Sequence, residues 1–181
     1  MPITTDQYKV HVASDAEIKQ ALRVRIHVFV DIQKFPLEEE SDELDKTATH
    51  LVVIDTRRDI ASQVIGTLRI LKSPESAKLP KAAKFGRVAI LPEYQGLGIG
   101  KFLMQAAEAH VAKSPEYKEY QCTKLGSQWD KRGFYEKCGY EARGDIYNDT
   151  GCRHIWMYKP IVRKLDPTYP LLSRGGVTGG A

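Results

Sequence analysis

Arg87-Val-Ala-Ile-Leu-Pro-Glu-Tyr-Gln-Gly-Leu-Gly-Ile-Gly-Lys-Phe-Leu-Met104 decides how the rest of the chain is read. Val88, Ala89, Ile90 and Leu91 form a short apolar run, the pattern of a strand covered on both faces. Pro92 has no N–H to give a ladder, so the strand is predicted to stop there. Gly96, Gly98 and Gly100 follow on alternate positions, where the backbone can turn tightly and admit a close approach. From Ile99 the period becomes helical, with Leu103, Ala106, Ala107, His110 and Val111 at three- and four-residue spacing. The order is therefore strand, glycine loop, helix. Free N–H groups and the positive end of the helix dipole meet at such a junction and attract an anion.

Three phosphate motifs compete for this loop. A Walker loop needs Ser or Thr after Gly-Lys to hold magnesium. Here Phe102 follows Gly100-Lys101, and Gln95 stands where the first glycine belongs. The dinucleotide fingerprint needs a glycine where Lys101 stands. A plain tight turn does not call for three alternating glycines, given what glycine costs in an ordered element. Gln95-Gly-Leu-Gly-Ile-Gly100 resembles the Gln/Arg-x-x-Gly-x-Gly/Ala loop of the GNAT acetyltransferase superfamily, and Gly86–Pro92 before it and Lys101–Met104 after it resemble the same central motif. The resemblance implies an α/β (α+β) fold, a mixed and mostly antiparallel splayed sheet flanked by helices. It also implies that Gln95, Gly96, Leu97, Gly98, Ile99, Gly100 and Lys101 cradle the pyrophosphate of acetyl-CoA. The pantetheine arm would pair with the backbone of Val88, Ala89 and Ile90, where an N–H polarises the thioester carbonyl as an oxyanion hole does.

A second block, Phe134-Tyr-Glu-Lys-Cys-Gly-Tyr140, resembles the Phe-Tyr-Glu-Lys-x-Gly-Phe ending of many GNAT enzymes. By that resemblance Tyr135 lies beside the CoA sulfur and protonates the leaving thiolate. The chemistry is compatible: a thiol titrates near ~8.5 and tyrosine near ~10, so tyrosine keeps its proton at neutral pH. A buried aromatic with a satisfied hydroxyl is the plainer reading of an isolated tyrosine. The family carries Asn seven residues before this Tyr; Gln128 stands there, as the residue expected near the pantetheine arm.

An amine of pKa near ~10 must lose a proton before it attacks. Glu40, His50, Asp42, Asp45 and Glu93 are the base candidates, with Glu40 and His50 placed in the site. His50 opens a predicted strand, where a histidine more often serves as a structural hydrogen-bonder, although its ordinary pKa suits a base. Pro36–Asp45 holds six acids and reads either as a solvated face or as a wall that attracts a cationic amine. The stretch from Leu22 through these acids to His50 resembles the ElaA-like branch of the superfamily.

The remaining composition sets bounds. The chain has 181 residues, 42% hydrophobic and 28% charged, which suits one domain with a core. It is expected to divide into a domain over 1–164 and an irregular tail over 165–181. A net charge of +4 with scattered basic residues argues against nucleic acid and helps an anionic cofactor arrive. Cys122, Cys138 and Cys152 form no metal-ligand spacing, so no metal is expected, and an odd count favours a reducing compartment. Apolar runs are too short for a membrane span. A cytoplasmic protein, with the nucleus allowed, is expected.

The capping box Ser14–Glu17 predicts a helix from Ser14 to about Gln33, with Ile18, Leu22, Arg25, Ile26 and Phe29 near one stripe. Strands are predicted over 8–13, 47–56, 63–72, 88–91, 120–125, 140–143 and 152–158, and a last helix over 129–138. The expected activity is N-acetyl transfer from acetyl-CoA to a small primary amine by direct attack, by a monomer or a homodimer. The alternatives are a CoA-binding sensor without turnover, or a peptide or amino-sugar acetyltransferase, the last because the Phe134–Tyr140 block is also similar to the glucosamine-phosphate enzymes.

Overall fold

A computed structural model describes residues 6–40, 42–73 and 80–163; the expected tail over 165–181 lies outside the described residues. Among the described residues seven strands form one sheet in the order β1-β2-β3-β4-β5-β7-β6. They are β1 Tyr8–Val12, β2 Thr49–Asp55, β3 Val64–Ser73, β4 Ala82–Ile90, β5 Cys122–Gln128, β6 Glu141–Asp149 and β7 Cys152–Pro160. Only β4 and β5 are parallel, joined by helix α2 (Ile99–Lys113), as a strand-helix-strand crossover requires. Helix α1 (Asp15–Arg25) covers one face of β2, β3 and β4, and α2 covers the other.

The two faces follow from strand alternation. On β2, Leu51 and Val53 point towards α2 and pack with its Leu103, Met104, Ala107 and Val111. Val52 and Ile54 point the other way, onto Ala21, Val24 and Val28. The buried stripe of α1 is thus Glu17, Gln20, Ala21, Val24 and Arg25. That corrects the predicted stripe: Ile18, Leu22, Ile26 and Phe29 are only half-buried at its border, and Arg25 is the one member held in the interior. The capping box forms, with Glu17 accepting from both the backbone N–H and the hydroxyl of Ser14.

The chain stays helical past Arg25, but Ile26–Ile32 is a π-helical turn. Five of its seven residues are Ile, Val or Phe, side chains that crowd an α-helical turn. Lys34 follows in the left-handed region, and the acidic segment becomes two 3₁₀ turns, Leu37–Glu39 and Glu43–Lys46. The expected last helix is likewise split, into a 3₁₀ turn over Trp129–Lys131 and α3 over Arg132–Lys137, and Gly139 closes it at φ 88°. β6 is longer than predicted because a register shift between Arg143 and Tyr147, with Gly144 at φ 82°, bends the edge strand without ending it.

Neither reading of the acidic segment holds for Glu40, Asp42 and Asp45. Three arginines from three elements neutralise them. Arg25 Nε donates to Glu40 Oε1 at 2.5 Å, and its two Nη atoms reach both Asp45 oxygens at 3.0 Å. Arg69 of β3 donates to Asp42 at 2.6 Å and to Asp45 at 2.8 Å. Arg87 of β4 lies 3.5 Å from Glu40 and donates to the Glu39 carbonyl at 2.5 Å. Arg25 is 2% exposed and Glu40 4%. Burial opposes ionisation of Asp45, yet hydrogen bonds from Arg25 and Arg69 outweigh it and hold the carboxyl below the usual carboxylate range. Asp42 is depressed in the same way by Arg69. The network pins the segment between α1 and β2 onto the sheet.

Two stability predictions follow from this packing. A Cβ on Gly66 of β3 would meet Ile90 Cδ1, Val53 Cγ1 at 2.8 Å and the Ala89 carbonyl oxygen at 3.0 Å. Gly66→Ala should therefore lower stability by about 1–3 kcal/mol in urea unfolding, as overpacking does. Arg25→Met strands buried Glu40 and weakens the hold on Asp45, and should cost about 3–5 kcal/mol at pH 7. Asp42 and Asp45 have depressed folded pKa values, so their contribution is complete above the unfolded value near ~3.9 and is lost as pH falls through the folded values. The gap between wild type and Arg25→Met should accordingly narrow below about pH 4.

Candidate active site

β4 and β5 share hydrogen bonds only from Ala82–Cys122 to Phe85–Leu125. Past that pair both strands continue, β4 to Ile90 and β5 to Gln128, each bonded only to its outer neighbour. The sheet therefore opens into a V at its centre. Gly86 to Ile90 present one backbone edge to the opening, with no registered partner there among the described residues. Such an edge is complete only when something with amide groups lies along it.

A bulge shapes that edge. Ala89 pairs with Thr67 and Gly86 with Arg69, so Arg87 and Val88 together oppose Leu68. Arg87 takes φ 52°, which non-glycine residues rarely adopt. Its contacts with Glu39, Glu40 and Asp42 hold it there. The extra residue puts the Arg87 side chain on the acidic-segment side and returns Val88 to the α2 side. This predicted contact strand is thus placed by a charge network that the sequence reading did not identify.

The glycine loop stands at the mouth of the V. Gly96 and Gly98 have φ 76° and 86°, the left-handed region that favours glycine. Gly98 is the residue before α2 and brings no side-chain cap, so the N–H groups of Ile99, Gly100 and Lys101 are left facing outward. Leu97 and Lys101 are exposed beside them. These groups fit a pyrophosphate: three free donors, a helix N-terminus and a lysine. The Gln95 side chain does something else, donating to the Ile90 carbonyl at 2.9 Å and closing the end of β4.

Gly100 ties this loop to the second motif. A Cβ on it would stand 3.1 Å from Phe134 Cζ and 3.8 Å from Ile90 Cγ1. The Phe134 ring thus rests on the first turn of α2, and Tyr135 follows directly. The Tyr135 ring packs edge-on to Phe134 and Tyr140, at 5.0 and 6.3 Å between centroids. Its hydroxyl has no hydrogen-bond partner among the described residues, whereas the Tyr140 hydroxyl is bonded to Thr123 at 3.0 Å. Burial pushes the Tyr135 hydroxyl well above the ordinary tyrosine range, and the Cys138 thiol adds to this. Tyr135 stays protonated and is a hydrogen-bond donor without a partner.

The predicted base residues are placed differently. Glu40 is held by Arg25. His50 is 3% exposed, and its Nε2 donates to the Asp45 carbonyl at 2.9 Å, which leaves Nδ1 buried and unpartnered. Glu93 lies 3.6 Å from Arg58 on the turn after β4, beside Tyr94, whose hydroxyl bonds Asp55 at the far end of β2. Gln128 donates to Gln33 at 2.9 Å and so joins the tip of β5 to the end of the π-helical turn. Thr150 of the β6–β7 turn reaches Glu39 at 2.5 Å. Arg25, Arg69, Arg87 and Gln33 went unrecognised as site-forming residues; the one available signal was an arginine at position 25 within an apolar helical stripe. Two concavities lie elsewhere. One of about 460 Å³ sits between β1 and α2, and one of about 200 Å³ beside α1; neither includes a residue of β5 or of the glycine loop.

The arrangement matches known proteins. A model of the acetyltransferase (GNAT) domain matches residues 46–142, more than half of the chain. The uncharacterized N-acetyltransferase YjcF of Bacillus subtilis is 29% identical over 147 residues, covering 81% of this chain and 94% of YjcF. ElaA of Escherichia coli is 25% identical over 154 residues, covering 83% and 92%, and its crystal structure superposes with a TM-score of 0.64. A Lactobacillus plantarum chain of provisional N-acetyltransferase assignment superposes with a TM-score of 0.71 at 25% identity, over 86% of this chain and 99% of that one. With a sheet split between β4 and β5 and a glycine loop heading α2, the chain belongs to the GNAT acetyltransferase family.

Proposed function

We propose that this protein transfers an acetyl group from acetyl-CoA to the primary amine of a small acceptor by direct attack. The observation that carries this reading is the juxtaposition at the V. An open backbone edge on β4 runs to a helix N-terminus with free donors, and the Phe134 ring rests on Gly100 of the same helix, next in the chain to Tyr135 with its unpartnered hydroxyl. Acetyl-CoA supplies the activated acetyl group when bound.

The chain's own part is binding, orientation and proton handling. The first turn of α2 and Lys101 hold the pyrophosphate, and the edge from Val88 to Ile90 aligns the arm and directs a backbone N–H at the carbonyl oxygen. As the new C–N bond forms and the C–S bond breaks, negative charge collects on sulfur, and Tyr135 donates a hydrogen bond to it. The raised tyrosine pKa makes full proton transfer to a thiolate near ~8.5 uphill, so the hydrogen bond itself is the contribution and solvent completes the protonation. The acidic base candidates are spent in ion pairs. His50 Nδ1 is buried away from solvent, so deprotonation of the amine falls to solvent. His50→Gln should therefore leave the shape of the pH profile of kcat/KM unchanged, and loss of its acidic limb would reject this assignment.

Tyr135→Phe should lower kcat about 10- to 100-fold while acetyl-CoA affinity stays within about twofold, measured by thiol release with an amine panel and by calorimetry. An unchanged rate with every amine would reject the catalytic role of Tyr135, and acetyl-CoA binding by the wild type without turnover of any amine would leave a CoA-binding module. Gly98→Asp forces a side chain and a negative charge onto the left-handed position before α2, and should abolish acetyl-CoA binding. Comparing acetyl-CoA with longer acyl-CoAs in the same assay tests the acetyl preference.

A further inference from the structure

Lys84 of β4 and Lys124 of β5 are register partners, one residue before the strands part. Their neighbours Phe85 and Leu125 fill the α2 face, so the lysines share the opposite face, the side of the acidic segment. Both ammonium groups converge on one ring: Lys84 Nζ lies 5.4 Å and Lys124 Nζ 5.3 Å from the centre of Trp156. Trp156 stacks on Tyr147 at 5.4 Å, and Tyr147 on His154 at 5.7 Å. The Tyr147 hydroxyl stands over Gly126, where any Cβ would strike it. An aromatic wall thus faces two lysines at the closed end of the V.

These lysines differ from three others at the sheet. Lys72, Lys81 and Lys159 each hold a glutamate. Among the described residues no carboxylate lies within 4.0 Å of either Lys84 or Lys124 Nζ. The charges that face Lys84 are Lys124, Arg69 and Arg87, all repulsive, and Asp149, attractive but not in contact. Arg69 and Arg87 are engaged with Asp42, Glu39 and Glu40 and bring no free acid with them. Burial, then repulsion from Lys124 and the arginines, depresses Lys84; burial depresses Lys124. Cation–π contact with Trp156 offsets part of this. An anion between the two ammonium groups would offset more, because half-buried like charges attract it strongly.

We propose that Lys84, Lys124 and Trp156 form the subsite for an anionic group of the acceptor, so that the acetylated amine belongs to a small molecule that also carries a carboxylate or a phosphate. The identity of the amine rests on the acetyl-transfer reading above; the anion subsite does not. Lys84 and Val88 are four residues apart, at most about 13 Å along a strand that the bulge at Arg87 shortens, so an acceptor whose amine and anion lie several ångströms apart spans both points.

Turnover is compared across matched amines: an amino acid and its amide for the carboxylate, glucosamine 6-phosphate and glucosamine for the phosphate. The anionic member of at least one pair should show kcat/KM at least tenfold higher. In Lys84→Met/Lys124→Met that ratio should fall to about one, with acetyl-CoA affinity retained as proof of folding. Turnover of amines with no preference for the charged member in either pair overturns the proposal. A second measurement needs no turnover. In a Trp129→Phe background Trp156 is the remaining tryptophan, and its fluorescence is titrated with inorganic phosphate and with glutarate. One of them should saturate the signal, with Kd at least tenfold weaker in the double lysine variant. No saturable change with either anion, or equal binding by the variant, overturns the subsite. Anion binding without acetylation of any amine would instead uphold the subsite and reject the transfer reading.

Discussion

Past Phe85 and Leu125 the two central strands stop pairing, and the architecture follows from that break. A parallel pair needs a crossover helix, and the helix that closes it begins where β4 ends. Its uncapped N-terminus therefore lies at the mouth of the opening that the divergence creates. Backbone groups in the middle of a sheet are normally all satisfied. Here a stretch of β4 is satisfied on one side only, and the aligned helix N-terminus provides an end stop for whatever completes the other. Side chains from β5, α3 and the segment after α1 are then added around this opening.

The second constraint is electrostatic. Arg25, Arg69 and Arg87 come from α1, β3 and β4, and Glu40, Asp42 and Asp45 come from one short segment. Three positive and three negative groups cancel, which makes their burial tolerable, while loss of any one member would leave an uncompensated charge. The bidentate geometry of Arg25 on Asp45 adds direction as well as strength. By holding Arg87 at a left-handed bulge, the network also sets the path of the β4 edge. The same residues therefore place the acidic segment and shape the opening between β4 and β5, although none of the three acids is free of an arginine. Lys84 and Lys124, which have no carboxylate within 4.0 Å among the described residues, stand just beyond this neutralised cluster.

Much of the scaffold was legible from residue pattern. Pro92 stops β4, Ser14 and Glu17 start α1, Gly139 ends α3, and the change from period two to period three or four marks the crossover. These signals are local, because each depends on a backbone preference within a few residues. The π-helical turn at Ile26–Ile32 was not legible, since hydrophobic spacing hardly differs when one residue is added to a turn. The length of β6 was missed because an edge strand can carry a bulge at Gly144 and still pair on either side of it. The acidic segment was misread because charge runs are usually solvated, and their partners here lie 15 to 27 residues away on Arg25 and on Arg69.

By itself the sequence determined the strand-loop-helix unit, the free donors at the head of α2, the Phe134–Tyr140 block and the family these belong to. It could do so because glycine, proline and capping residues act through their own backbone geometry. Tertiary structure alone decided which charges meet. It turned Glu40 from a candidate base into the partner of Arg25, gave Gln128 to Gln33, left the Tyr135 hydroxyl unpartnered, and set Lys84 beside Lys124 over Trp156. Coulombic and hydrogen-bond partners are chosen by distance in space, and distance in space depends on register, bulge and strand order, which no single stretch of the chain contains.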